Sequence, residues 1–590
     1  MDEFIKTLRA AIRHHQQGDL AQAETLYREV LEQQPQQSLA LHSLGLIAYQ
    51  QQRHEEAIDL VMQAIEVDPA TPHLHNSIGV MREALGQSDQ AIEAYQQAIR
   101  LKHDYTEAHK NLGIAYRNQQ RVADAIQCFQ NALSFDSAHI ECHVYLADLF
   151  VDCQRHAEAV VNYQTAVMLN PNLAEVHNNL AIALKHQARF DEALDAQQKA
   201  IELRPENINF QTNLASILQA QGNLTEAVAC CQQVVTLAPD NATHYYNLAC
   251  VLRDQGALAE AIASNNQALD INPQFPEAHW NQAICTLMNG DFQQGWSHFQ
   301  WRRQAPHQYQ YPHHHPEAIW QGGPFDGRLF IHCEQGLGDA IQFIRYLPQV
   351  KALGGEVTVG VWEALIQLCA NFPGIDQLIP LSRHKKPEIT CDLHCSLLDL
   401  PGIFTTGIDS IPKTTPYFAA DLDKREHFKG ILTGSGLKIG LAWAGSARHA
   451  NDANRSMPLD CLAPLADLES IQIYSLQKDI RDIRIKNQLE GFGIVDLAGH
   501  LTDFTDTAAV IANLDLVITV DTALLHLAGA LGKRTWGLIP YSPDWRWMLE
   551  RKGSPWYPTL TLFRQNEPGD WQGVVTRVVN ELTENQREAK

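Results

Sequence analysis

Small residues recur at a fixed interval along the first half of the chain. A first series falls every 34 residues, at Ala11, Gly45, Gly79, Gly113, Ala147, Ala181, Ala215, Ala249 and Ala283. A second series comprises Ala23, Ala57, Ala91, Ala125, Ala159, Ala193, Ala227, Ala261 and Gly295. Small residues let two helices approach closely, and the prolines that close most units end the second helix. The pattern predicts stacked pairs of helices.

This spacing resembles the tetratricopeptide repeat, with nine copies in one phase across residues 1–305. One unit alone cannot bury its apolar face. The resemblance therefore implies that the units stack into a right-handed superhelix with a concave groove. Because such grooves usually hold peptides, we expect the repeats to bind a partner protein.

One column of carboxamides stands out within the repeats. In the first helix of five repeats, the residue just before a leucine or its equivalent is an asparagine. These residues are Asn111, Asn179, Asn213, Asn247 and Asn281. An asparagine side chain offers a donor and an acceptor, so a column of them can pair with the backbone of an extended peptide. A similar ladder holds acceptor proteins in the tetratricopeptide-bearing O-GlcNAc transferases, which implies an acceptor-peptide groove. The alternative is that asparagine is simply common at this repeat position.

The periodicity changes after residue 305. Residues 306–326, rich in Pro, His and Gln, are predicted to be a linker. Strands then alternate with helices, as in parallel sheets. We predict one lobe over residues 327–436 and a second over residues 437–590, whose final helix packs back on the first lobe. The predicted fold class is an α-helical tetratricopeptide superhelix followed by an α/β fold of two Rossmann-like lobes.

Two motifs, one in each lobe, carry the candidate chemistry. The first is GLGDAIQFIRYLP, in which Gly336 and Gly338 allow a tight strand-to-helix turn. The second is DLVITVDTALLHLAGALGK, in which Asp521 and Thr522 end a strand and begin a helix. Unpaired N–H groups and the helix dipole would face a diphosphate there. His526, one turn on, could donate to a phosphate or ribose.

These motifs resemble those of the two-lobed GT-B glycosyltransferases, and more closely the heptosyltransferase-like family. The resemblance implies that Asp339 is the general base. It implies a nucleotide-sugar site formed by Gly338, Ser446, Arg448, Arg455, Asp521, Thr522, Ala523 and His526. Ala523 departs from the family's glycine, and the first lobe is short. Both aspartates, Asp339 and Asp521, have an alternative role as helix caps.

The resemblance implies an inverting, metal-independent glycosyltransferase. It would move a sugar from a nucleotide-sugar donor to Ser or Thr hydroxyls of a protein held by the repeats. The layout is similar to that of O-GlcNAc transferase and of two-domain flagellin glycosyltransferases, which makes flagellin one candidate acceptor. Two alternatives are a transferase acting on lipopolysaccharide or another glycan, with the repeats as a docking module, and a catalytically inactive scaffold.

Other motifs do not indicate a metal. The histidine run at residues 313–315 lacks spaced partners, and Cys391 and Cys395 lack a second pair at zinc-finger spacing. We expect a solvated loop and a buried strand at these places, and no cofactor. Residues 421–423 (DLD) look like the DxD metal motif of another glycosyltransferase fold, but they fall between the lobes.

Composition narrows the class of partner. The 590 residues carry a formal net charge of −23, which disfavours nucleic acid and anionic lipid surfaces as partners. No apolar run is long enough to cross a membrane, and the first residues lack the features of a secretory signal. We therefore expect a cytoplasmic protein without a disulfide framework. The donor nucleotide and sugar do not follow from the sequence.

Overall fold

The computed structural model describes residues 2–306, 308, 311, 313, 315–446, 451–478, 480 and 482–588. It divides into two compact units, Met1–Gln221 and Gly222–Lys590. The division falls inside the repeat region and not at residue 305. The last repeats therefore share a compact unit with both sheets.

The first unit consists of helices that pair in chain order. They are α1 (Asp2–Gln16), α2 (Leu20–Gln33), α3 (Ser38–Gln50), α4 (His54–Val67), α5 (Pro72–Ala84), α6 (Ser88–Leu101), α7 (Thr106–Asn118), α8 (Val122–Phe135), α9 (Ile140–Asp152), α10 (His156–Leu169), α11 (Ala174–His186), α12 (Phe190–Leu203) and α13 (Ile208–Gln221). A Cβ at Gly79 would lie 2.5 Å from the Tyr95 ring. The small positions are thus required where helices of a pair approach.

The second unit begins with helices α14 (Leu224–Leu237), α15 (Ala242–Gln255), α16 (Leu258–Ile271), α17 (Pro276–Met288) and α18 (Phe292–Phe299). A parallel sheet follows, with strands β1 (Ala318–Ile319), β2 (Arg328–His332), β3 (Glu356–Trp362), β4 (Gln377–Leu381) and β5 (Leu393–Ser396) in the order β1-β5-β2-β3-β4. Its helices are α19 (Leu337–Phe343), α20 (Leu347–Lys351), α21 (Ile366–Cys369), α22 (Leu400–Ile403) and α23 (Leu422–Ile431). Strand β1 lies inside the predicted linker, so that linker also supplies the edge of the first sheet.

A second parallel sheet completes the unit. Its strands are β6 (Leu437–Ala442), β7 (Ile471–Ser475), β8 (Val495–Asp496), β9 (Leu516–Val520), β10 (Thr535–Ile539) and β11 (Leu560–Arg564), in the order β11-β10-β9-β6-β7-β8. Its helices are α24 (Asp452–Arg455), α25 (Ala463–Ala466), α26 (Ile483–Gly491), α27 (Phe504–Asn513), α28 (Ala523–Ala530) and α29 (Trp571–Glu588). The predicted fold class, helical repeats followed by two Rossmann-like sheets, is confirmed.

The predicted packing of the final helix is wrong. The buried side chains of α29, Val574, Val575 and Val578, share a core with Ile439 and Ile518 of the second sheet. Helix α29 therefore covers its own lobe. The apolar spacing of its residues predicted the helix correctly but could not show which sheet it covers.

A buried ion pair joins the last repeat to the first lobe. Arg302 and Glu334 are both 0% exposed. Arg302 Nε and Nη2 donate to the two Glu334 carboxylate oxygens at 2.5 and 2.9 Å, and Nη2 also reaches Asp399 Oδ1 at 2.8 Å. Burial alone would lower the pKa of Arg302, but the charges of Glu334 and Asp399 raise it by more. The pKa of Arg302 therefore lies above its usual value. The guanidinium therefore remains charged in the core.

The repeats also contact the second lobe. Tyr541 Oη donates to the carbonyl oxygen of Gln255 at 3.2 Å, and Ser542 Oγ donates to Asp254 Oδ1 at 3.3 Å. Helices α14–α18 are thus fixed against both sheets.

Among the described residues, no helix combines the length and apolar character needed to cross a membrane.

Replacing Arg302 with Met should strongly destabilise the second unit. The change leaves Glu334 buried without its cation, and loss of one partner of a buried pair costs about 3–5 kcal/mol. Urea unfolding followed by tryptophan fluorescence measures this cost. Arg328→Met, which removes an arginine paired with Asp392 on the surface, is the control and should have little effect. Equal effects of the two variants would contradict the role of the buried pair.

Candidate functional site

The first motif forms the turn between β2 and α19. Gly336 N donates to Asp339 Oδ2 at 2.7 Å, which closes the first turn of the helix. The capping role foreseen for Asp339 is therefore present. The same carboxylate also faces the second lobe, where its other oxygen accepts a hydrogen bond from Arg546 Nη2.

The second motif forms the turn between β9 and α28. Thr522 is the N-cap residue of α28, and its hydroxyl accepts a hydrogen bond from Leu524 N at 3.3 Å. Asp521, directly after the strand, is partly exposed. The structure thus places Asp521, Thr522 and Ala523 at a helix N-terminus, where backbone N–H groups favour an anion.

The two motifs are in direct contact. A Cβ at Gly338 would lie 2.6 Å from His526 Cδ2 and 3.4 Å from Ala523 Cα. Only glycine allows this approach without a shift of one helix against the other. The structure therefore brings together residues from two lobes that the sequence could only assign separately.

His526 occupies the centre of this contact. It is 6% exposed, and its Nδ1 lies 3.0 Å from the Tyr557 hydroxyl. Burial, together with the charges of Arg546 and Arg345, lowers the pKa of His526 well below its usual value. The imidazole is therefore neutral, and its packing between the lobes fits a positioning role.

Arg546 links the lobes and was missed by the sequence analysis. Besides Asp339, its guanidinium binds Asp544 through Nη1 at 2.9 and 3.1 Å, and Nε donates to Gln342 Oε1 at 2.6 Å. Burial alone would lower the pKa of Arg546, but the charges of Asp544 and Asp339 raise it by more. The pKa of Arg546 therefore lies above its usual value. A signal was present in the sequence, since Arg546 stands between two tryptophans and guanidinium groups favour aromatic faces. In the structure its Cζ lies 4.5 Å from the centre of the Trp545 ring.

The predicted basic residue lies beside the second motif. Arg455 Nη1 donates to the carbonyl oxygen of Asp521 at 3.2 Å, and Nε donates to Asp452 Oδ1 at 3.4 Å. Ser446, four residues after the end of β6, is exposed. Arg448 lies outside the described residues. The structure therefore places Arg455 beside the residue that precedes the N-cap of α28.

The tryptophans near the site pack between elements. Trp545, Trp547 and Trp556 are buried, and the Trp545 ring meets that of Trp296 edge-on at 5.4 Å. Met548, which follows them, has a φ of 53° and a ψ of −168°, a backbone region that only glycine adopts readily. The segment that carries Arg546 is therefore held in a strained form by its surroundings.

The asparagine column bonds mainly to the protein itself. Asn111 Nδ2 donates to Asn76 Oδ1 at 3.0 Å, and Asn213 Nδ2 donates to Asn178 Oδ1 at 2.8 Å. Each bond joins one repeat to the next. The sequence analysis missed the position of the acceptors Asn76 and Asn178, although asparagine recurs at that repeat position as well.

The members of the column differ in accessibility. Asn179 and Asn247 are half-buried, but Asn281 is 1% exposed, and its side chain bonds to Arg253 and Asn265. Asn281 therefore has no surface to offer a peptide.

Outside the repeats, Asp421 caps α23 through a hydrogen bond from Lys424 N at 2.9 Å, a structural role for residues 421–423.

Asp521→Asn should stabilise the protein increasingly as the pH rises. Partial burial and the charge of Asp544 raise the pKa of Asp521 to about 7. The folded state therefore holds this proton more tightly than the unfolded chain. The stability that the folded protein gains from binding this proton is complete at low pH and is lost as the pH rises through about 7. Melting temperatures from pH 5 to pH 9 should show a gap between variant and wild type that widens up to pH 8. The exposed Asp467→Asn is the control, and a gap independent of pH would refute the assignment.

Family models match both parts of the chain. Tetratricopeptide-repeat models match residues 8–73, 81–120, 106–139, 147–187, 174–207 and 207–274. The model of glycosyltransferase family 9 (heptosyltransferase) matches residues 476–573. This match includes Asp521, Thr522, His526 and Arg546, while the first motif lies before it.

Known proteins show similarity over parts of the chain. Protein FlbA of Caulobacter vibrioides is 28% identical over 293 residues, which cover 45% of this chain and 48% of FlbA. The chain thus spans about half the length of this curated relative. Among solved structures, YrrB, a TPR protein with an unusual peptide-binding site, is 20% identical and covers 32% of this chain and 96% of its own, with a TM-score of 0.29. The C-terminal part of a TPR repeat-containing protein from Cytophaga hutchinsonii is 16% identical, covers 40% of this chain and 97% of its own, and has a TM-score of 0.36. By its family matches, the chain joins tetratricopeptide repeats to a C-terminal segment of the glycosyltransferase family 9 type.

Proposed function

We propose that the protein is a glycosyltransferase that moves a sugar from a nucleotide-sugar donor to Ser or Thr hydroxyls of a protein held by its repeats. One observation carries the proposal. The Gly338–Asp339 turn of one lobe contacts the Ala523–His526 turn of the other. A candidate base therefore lies next to a candidate diphosphate site.

The donor would bind through the N-terminus of α28 and Arg455. The helix end supplies backbone N–H groups, and Arg455 places a cation beside Asp521. Together they favour the diphosphate of a nucleotide sugar and would stabilise the charge that develops on it as it leaves. This stabilisation comes from the chain itself, which supports transfer without a metal.

Asp339 would take the proton in the transfer step. The acceptor hydroxyl oxygen bonds to the anomeric carbon while the bond from that carbon to the diphosphate breaks. The electron pair leaves with the diphosphate, and the hydroxyl proton passes to the Asp339 carboxylate. Attack on the face opposite the leaving group inverts the anomeric configuration. Arg546 and Gly336 N–H fix the direction of the carboxylate.

The repeats would present the acceptor at a fixed position. Helices α14–α18 are held to both lobes by the bonds of Arg302, Tyr541 and Ser542. A protein segment bound there would have a raised effective concentration at the site. Asn247, half-buried on α15, is available to such a segment, and flagellin is one acceptor to test.

Replacing Arg455 with Met should weaken nucleotide binding by about 10- to 100-fold, because a charge-assisted contact to a phosphate is lost. Calorimetric titration with UDP, GDP, ADP and CMP and their sugar conjugates measures this directly. Arg484→Met, which removes an exposed arginine of the same lobe, is the matched control. If none of these ligands binds wild type, the protein is a scaffold and the proposal fails.

Asp339→Asn should separate binding from transfer. The amide oxygen can accept only one of the two hydrogen bonds that the carboxylate accepts, from Gly336 N or from Arg546 Nη2. Since Asp339 is assigned no contact with the diphosphate, donor affinity should fall much less than transfer. Loss of a general base should slow transfer by about 10²–10⁴-fold. Intact-mass spectrometry of candidate acceptor proteins, with a purified glycan acceptor in parallel, measures transfer. Full activity of the variant would contradict the role of Asp339, and transfer only to the glycan would contradict a protein acceptor.

A further inference from the structure

A cluster of possible metal ligands lies at the edge of the first sheet, away from the proposed transfer site. Its members are His315 and Glu317, just before β1, and Cys391, just before β5. One ligand atom from each lies within 4.8 Å of the other two. The pairing of β1 with β5, which aligns Ala318 with Leu393, brings these distant parts of the chain together.

The spacing of the atoms fits a small cation. A zinc ion lies about 2.0–2.3 Å from its ligands, so ligand atoms of a tetrahedral site are about 3.3–3.6 Å apart. His315 Nδ1 and Glu317 Oε2 are 3.7 Å apart. Side-chain shifts of about 1 Å would bring all three ligands onto one ion. The donor set of imidazole, carboxylate and thiol suits zinc, since the thiolate disfavours magnesium and calcium.

The surroundings also fit a bound ion. The other ring nitrogen of His315, Nε2, lies 2.8 Å from the Tyr311 hydroxyl, which fixes the ring and leaves Nδ1 directed at Glu317. Such a partner on the second nitrogen is typical of metal-binding histidines. Glu317 Oε2 is buried and accepts no hydrogen bond from the described part of the chain. An unsatisfied buried oxygen of this kind is costly unless a cation neutralises it.

We propose that His315, Glu317 and Cys391 bind one zinc ion, which fastens the segment entering the first lobe to the edge of its sheet. Strand β1 has two residues, and among the described strands it pairs with β5 alone. An ion bound by Glu317, before β1, and Cys391, before β5, would hold this short edge in register. A fourth position remains for water. The sequence analysis predicted no metal here because it judged the histidine run and the cysteine pair separately.

Zinc content of the untagged, full-length protein tests the proposal. After loading with Zn²⁺ and removal of free metal, wild type should retain about one zinc per chain. Cys391→Ser and His315→Ala should weaken zinc binding more than about 100-fold, and Tyr311→Phe about 10-fold. With Co²⁺ as the probe, a thiolate charge-transfer band should appear in wild type and be absent in Cys391→Ser. Cys461→Ser and His313→Ala are controls that should retain zinc.

A second readout does not depend on variants that must fold. Zinc should protect Cys391 of wild type from alkylation, as measured by peptide mass spectrometry, and should leave the exposed Cys153 unprotected. The proposal fails if wild type retains no zinc or if Cys391 is alkylated equally with and without it. It also fails if folded Cys391→Ser binds zinc like wild type, because the ion would then be held by the histidine run alone.

Discussion

The buried contact of Arg302 with Glu334 and Asp399 is the constraint on which the rest of the second unit depends. Arg302 follows the last repeat helix, and Glu334 precedes the Gly336–Asp339 turn by two residues. A charged pair removed from water persists only with both partners in place. The position of helices α14–α18 relative to the first motif is therefore fixed by a contact that tolerates little change. Any protein segment bound by α14–α18 would inherit that fixed position.

A second set of arginines connects the two lobes. Arg345 Nη1 donates to the carbonyl oxygens of Pro412 and Trp556 at 3.1 and 2.8 Å, and Nη2 donates to the Tyr417 hydroxyl at 2.8 Å. Arg546 adds its contacts to Asp339 and Asp544. Of the two, Arg546 fixes the direction of the Asp339 carboxylate, while Arg345 holds backbone carbonyls and a tyrosine hydroxyl. Preorganised charge of this kind is the largest contribution that a protein usually makes to group transfer.

The sequence predicted what depends on local pattern. The 34-residue period predicted the repeats, and the strand-to-helix turns placed Asp339 and Thr522 at the starts of helices. It could not predict contacts between distant segments. Tertiary packing decides that Asn111 pairs with Asn76 and that Asn281 is buried under Arg253. It also decides which lobe α29 covers and how closely His315 approaches Cys391. Arg546 was missed because two of its partners, Asp339 and Gln342, lie in the first lobe.

Hydrogen–deuterium exchange with the nucleotide sugar that binds most tightly is the most direct test of a single site built from both lobes. The account predicts slower exchange in two sets of peptides, those covering Gly336–Asp339 and those covering Arg455 and Asp521–His526. Peptides of the unit Met1–Gln221 should be unchanged. Protection confined to the second lobe would show that the first motif takes no part in the site. Protection elsewhere in the chain would place the nucleotide outside the proposed site and contradict the account.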